Sequence, residues 1–150
     1  MGILRRSSRN TKSKVRAIHV PDTQKRTLHT HIRAAVEPGS QLYTDAYTGY
    51  IGLDHGYHHA TVNHAEEFVR GSVHTNGIEN FWSLLKRTIK GTYVSVEPFH
   101  LARYLSEQAF RFNERDKNDG GRFRIVLSSV AGKRITYKQL IGNDAETAPT

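Results

Sequence analysis

Between Asn76 and Lys90 the residues Ile78, Phe81, Trp82, Leu85 and Ile89 recur at helical steps. That spacing predicts a helix with one apolar face, opened by Thr75 or Asn76 and ended at Gly91. A stripe of such large side chains must be covered, so the rest of the chain has to build a core around this helix.

The sequence supplies strands before the helix and further helices after it. Lys14 to Val20 is rich in β-formers and halted by Pro21, which predicts a strand. Asp22 and Thr23 offer cap oxygens to a helix carrying Leu28, Ile32, Ala35 and Val36, stopped by Pro38-Gly39. Gln41 to Tyr47 reads as a second strand, with Leu42, Thr44 and Ala46 on one face and Tyr43, Asp45 and Tyr47 on the other. A further strand fits Tyr57 to Val62, while Glu66 to Val73 shows no clear period. Beyond Gly91 a helix starting near Pro98, with Ser95 as its cap, would bury Leu101, Tyr104, Leu105, Ala109 and Phe112. Arg122 to Val130 and Tyr137 to Ile141 read as short helices, although Phe123 to Leu127 also reads as a strand. The order of elements predicts an α/β or α+β fold.

Composition narrows the function. With 150 residues and 37% of them hydrophobic, the chain suits one globular domain. No apolar run approaches the roughly 20 residues of a membrane span, and Met1 to Asn10 has no signal-peptide core, which predicts a soluble cytoplasmic protein. The absence of cysteine excludes disulfides, thiolate catalysis and cysteine-bound zinc. A net charge of +8 and a pI of about 9.9 point to a polyanionic partner. Residues 1–13 read as a disordered basic arm touching phosphates, 14–142 as the folded domain and 143–150 as a disordered tail.

The predicted helix from Asn76 carries the densest chemistry. Asn76, Glu79, Ser83, Lys86 and Lys90 share its polar face. Glu79 and Lys86 are seven residues apart, about 20° short of two full turns, so carboxylate and ammonium line up. An ordinary solvated helix face has the same pattern. Asp45, at or near a strand end, either bonds to the following turn or joins a helix carboxylate as a hard-oxygen site for magnesium. Loosely spaced histidines, His29 and His31 and then His55, His58, His59 and His64, leave a weaker transition-metal reading open.

The segments Tyr43-Thr44-Asp45 with Tyr50, Val62-Asn63-His64, Phe68-Val69-Arg70-Gly71 and His74 to Arg87 together resemble bacterial insertion-sequence transposases with an ISXO-like transposase domain. Gly91-Thr92-Tyr93, Leu101 to Leu105, Phe110 to Asn113 and Tyr137 to Ile141 extend the resemblance over residues 14–142. It implies a ribonuclease-H-like fold and a DDE-type site that cleaves DNA and transfers strands with Mg2+ or Mn2+. On this chain it implies Asp45 as the second acid and Glu79 as the third, both holding metal, and Lys86 as the basic residue two turns later. Asn76 is a ligand, a positioning residue or the helix cap. Arg70, Lys86, Arg87 and Lys90 would meet DNA, His74 would meet phosphate or simply support the turn, and a homo-oligomer would assemble on the DNA.

One feature of the family has no counterpart here. Its first catalytic aspartate lies on an earlier strand, yet the acids before Asp45 are Asp22, which reads as a helix cap, and Glu37, beside a turn. The expectation is therefore an N-terminally truncated ribonuclease-H-like domain with C-terminal helices and little strand transfer of its own. The alternative is a basic DNA-binding module that no longer cuts, with salt-sensitive, sequence-tolerant binding.

Overall fold

The computed structural model describes residues 1–62, 74–93 and 96–142. Its elements are mixed α/β. Strands β1 (Gly2–Arg5) and β2 (Lys14–Ala17) form an antiparallel pair in which Leu4 faces Val15. Helix α1 (Lys25–Ala35) leads to β3 (Gln41–Asp45). After two single 3-10 turns, Thr48–Tyr50 and Leu53–His55, strand β4 (His58–Val62) runs parallel to β3 with Asp45 opposite Val62. Helices α2 (Asn76–Thr88), α3 (Leu101–Asn113), α4 (Asp119–Val130) and α5 (Tyr137–Ile141) complete the described chain. Among the described residues the strands make two separate two-stranded sheets rather than one.

Strand β1 corrects the expectation of a disordered arm over residues 1–13. Gly2 and Leu4 lie on one face of β1, and that face is laid against α2. A Cβ on Gly2 would come within 2.6 Å of the Trp82 ring, and one on Gly77 within 3.3 Å of Leu4. Only glycine permits so close an approach at Gly2. The amino group of Met1 donates to the Ile18 carbonyl at 2.7 Å, which fastens the start of the strand. The charge of Arg5, Arg6 and Arg9 hides a short apolar alternation that is long enough to pair.

Two small cores result. In one, Val15 of β2, Phe81 of α2 and Phe112 of α3 meet, joined by Leu4, Ile78 and Trp82. Phe81 is 0% exposed and stands edge-on to Phe112, with ring centres 5.7 Å apart. In the other, Ile32 of α1 packs with Leu53 and Tyr57 from the segment between β3 and β4, and Met1 reaches into this cluster. The predicted stripe of α2 thus faces inward: Phe81 and Leu85 are buried, and Ile78, Trp82 and Ile89 are half-buried.

Several boundaries move. Helix α1 begins at Lys25, after Asp22 has closed a turn by accepting from the Gln24 N–H at 3.0 Å. Helix α2 ends at Thr88 and passes into a π-helical turn, Ile89–Tyr93. Pro98–His100 is a 3-10 turn ahead of α3, and the expected cap Ser95 lies outside the described residues. Residues 122–130 belong to a helix, which removes the strand reading. The expected tail 143–150 is also outside the described residues.

Candidate functional site

Strand alternation sets the position of Asp45. Thr44 points inward and is buried, its hydroxyl 2.9 Å from His59 Nε2, while Asp45 is exposed at the strand's end. Its Oδ1 accepts from the Tyr47 N–H at 3.2 Å, so the turn-bonding role is real. The carboxylate is edged by aromatic rings. Tyr47 and Tyr50 meet edge-to-face at 6.0 Å, and the Tyr50 phenol is pushed up by burial and, after that, by the charge of Asp45.

Helix periodicity sets the rest. Asn76, Glu79, Ser83 and Lys86 are all exposed on α2, the face expected from their spacing. Asn76 is the first helical residue, one place after the N-cap Thr75. Glu79 sits in the first turn, where the helix dipole favours a carboxylate, and its Oε1 accepts from the Thr75 hydroxyl. Lys86 and Arg87 occupy the last turn and Lys90 the π-helical turn, all three exposed. Arg70 lies outside the described residues, as does His64.

His74 stands just ahead of α2, next to the N-cap Thr75. Its Nε2 is 2.6 Å from a terminal nitrogen of Arg6, and its Nδ1 is buried. These contacts accord with a turn-supporting role for His74 at the entry to α2. The same Arg6 guanidinium lies over the Tyr43 ring, 5.4 Å from its centre. Arg6 therefore touches β3, which carries Asp45, and the residue two places ahead of α2, which carries Glu79, and it comes from the segment that the sequence reads as an arm. The missed signal was the apolar start Gly2-Ile3-Leu4, long enough for a short strand that delivers Arg6 just past its end.

The remaining donors do not gather. Among the described residues there is no group of three or more histidine, aspartate or glutamate side chains that could hold a metal. His59 is engaged with Thr44, His55 lies 3.3 Å from Asp54, and His29 is buried. Neither β1 nor β2 carries a carboxylate. Asp22 is occupied at the approach to α1, where the Thr27 side chain and then the Gln24 N–H hold it below the usual carboxylate range. Among the described residues, one cleft between α2 and α3 and another along β2 and α3 are lined by neither Asp45 nor Glu79.

The model of the ISXO2-like transposase domain matches residues 1–113, so the match begins within β1 and its approach and ends with α3. An uncharacterized transposase-like protein of Haemophilus influenzae is 36% identical over 106 residues, covering 70% of this chain and 85% of that protein. No solved structure matches.

Proposed function

The chain belongs to the ISXO2-like transposase family, and from that premise we propose that it carries part of a DDE-type site for metal-assisted DNA cleavage and strand transfer. The observation that carries this reading is the placement of Asp45 at the end of β3 and Glu79 in the first turn of α2, both exposed, within the matched region.

The donor chemistry fits a divalent cation. Carboxylate oxygens are the hard ligands that Mg2+ and Mn2+ prefer, and Asp45 and Glu79 would hold the ion. When bound, it would activate the attacking oxygen and steady the leaving one in phosphoryl transfer. Asp45 is kept at its strand end by the Tyr47 N–H, and Glu79 by Thr75. Lys86 and Arg87, two turns along α2, would hold the DNA backbone, with Lys90 beyond them. Asn76, one turn before Glu79, is placed to orient a ligand or water beside it. DNA is thus the proposed partner, with a homo-oligomer assembled on it.

Two carboxylates are fewer than magnesium needs for firm binding, since the ion gives up water reluctantly. We therefore propose that the site is one acid short, and that a carboxylate from another polypeptide segment completes it. Purified chain with Mn2+ and a DNA substrate should show little or no joined product. Mn2+ should still bind weakly, with paramagnetic broadening at Asp45 and Glu79 that Asp45→Asn removes. Joining lost in Asp45→Ala would overturn the incomplete-site reading, and broadening indifferent to Asp45→Asn would overturn the acid pair.

A further inference from the structure

We infer that Arg6 is a positioning residue of this site, holding the entry of α2 against β3 so that Glu79 and Asp45 keep a fixed relation. The inference rests on the proposed acid pair for its purpose, but its geometry stands alone. Alternate residues of β1 track backward along α2. Gly2 meets Trp82 and Ile78, Leu4 meets Gly77, and Arg6, next on the same face, reaches His74. The close approach at Gly2 and Gly77 leaves β1 little room to slide, so the guanidinium is delivered to one place.

There, among the described residues, it contacts Tyr43 of β3 and His74 at the approach to α2. Arginine can only donate, so Nε2 of His74 accepts the 2.6 Å bond and the ring proton is confined to Nδ1. Nδ1 is buried and has no hydrogen-bond partner among the described residues, so no bond at that atom selects the tautomer. The plane of Arg6 also covers the ring of Tyr43, the β3 residue on the same strand face as Asp45. His74 in turn immediately precedes Thr75, whose hydroxyl bonds Glu79. Arg6 thus contacts Tyr43, two places before Asp45 on β3, and His74, beside the Thr75 whose hydroxyl bonds Glu79, and so ties together the neighbourhoods of the two candidate acids.

The test uses the full chain, uniformly labelled with 13C and 15N, His74→Gln identifying the His74 signals, and Mn2+ as the probe. Wild type should show His74 as the Nδ1–H tautomer. Arg6→Ala should release it to a mixture, and Arg6→Lys, which keeps a donor, should restore it. In the Mn2+ titration, Arg6→Ala should need roughly three- to tenfold more metal to broaden Asp45 and Glu79 together, with partial rescue by Arg6→Lys and an unchanged unfolding midpoint. An unaltered tautomer and unaltered Mn2+ response in Arg6→Ala would overturn the inference. If Mn2+ broadens neither acid in wild type, the metal reading fails, and the tie is decided by the tautomer: lost in Arg6→Ala supports it, retained overturns it.

Discussion

His29 shows how a single side chain can make the fold sensitive to pH. It lies on α1, buried, with Nε2 lacking a hydrogen-bond partner among the described residues. Its pKa is lowered first by burial, then by the charges of Lys25 and Arg33 one turn to either side, against the opposing effect of a backbone bond at Gly49. His59 is lowered as well, again chiefly by burial. Both are neutral in the native state at neutral pH, and the unfolded chain takes up protons first as pH falls. Their contribution to stability is therefore complete above the unfolded value of about 6.5 and is lost as pH drops through it. Chemical denaturation should show a lower midpoint at about pH 5.5 than at about pH 7.5, and His29→Leu should flatten that dependence. A midpoint that rises on acidification would contradict the assignment. None of this was legible in the sequence, where His29 looked like one more member of a loose histidine set. Its burial comes from the turn at Gly49 folding over α1, a contact between segments with no local signature. Asp45 and Glu79 were legible because each position follows from a local period, two for the strand and 3.6 for the helix.

At the level of elements, the join between β2 and α3 depends on one amide. Asn113, the last residue of α3, accepts from the Val15 N–H at 2.7 Å through Oδ1 and donates to the Val15 carbonyl at 2.9 Å through Nδ2. It stands in for a neighbouring strand, satisfying both backbone groups of a residue that is 4% exposed. Asn113→Ala would leave both groups without partners at the margin of the Phe81–Phe112 core. The expected cost is about 1–3 kcal/mol in urea denaturation at neutral pH. A change within experimental error would mean that water replaces the amide freely. The sequence placed the end of α3 correctly, because Asn113 opens a polar break, yet it gave the residue no task. It also missed β1 altogether. In both cases the determining contact joins residues near the start to α2 or α3, far away in sequence, and no window of neighbouring residues contains it. Helices α2 and α3 were readable for the opposite reason: each stripe repeats over several turns and is buried by whatever lies opposite.

Across the whole molecule, stability and family membership end at nearly the same place. The matched region stops at residue 113, and both core clusters are built from residues before that point. Helix α4 contributes no buried residue: Phe123 is 65% exposed, and Val126, Leu127 and Val130 continue its stripe at steps of three or four. It is attached at its start by Asn118, which caps it through the Gly121 N–H, and by Arg122, which reaches back to the Lys117 carbonyl at 2.6 Å. A helix of this length has little stability of its own in water. Unfolding of the domain should therefore be insensitive to its apolar face. Phe123→Ser with Leu127→Ser should shift the denaturation free energy by no more than about 0.5 kcal/mol, whereas Phe81→Ala should cost about 3–5 kcal/mol. Hydrogen exchange should separate the two regions, with α4 amides exchanging through local opening and those of α2 and α3 only through global unfolding. A large loss from the α4 substitutions, or protection of α4 equal to that of α2, would show that the stripe is covered in solution and that the stable unit extends past Asn113.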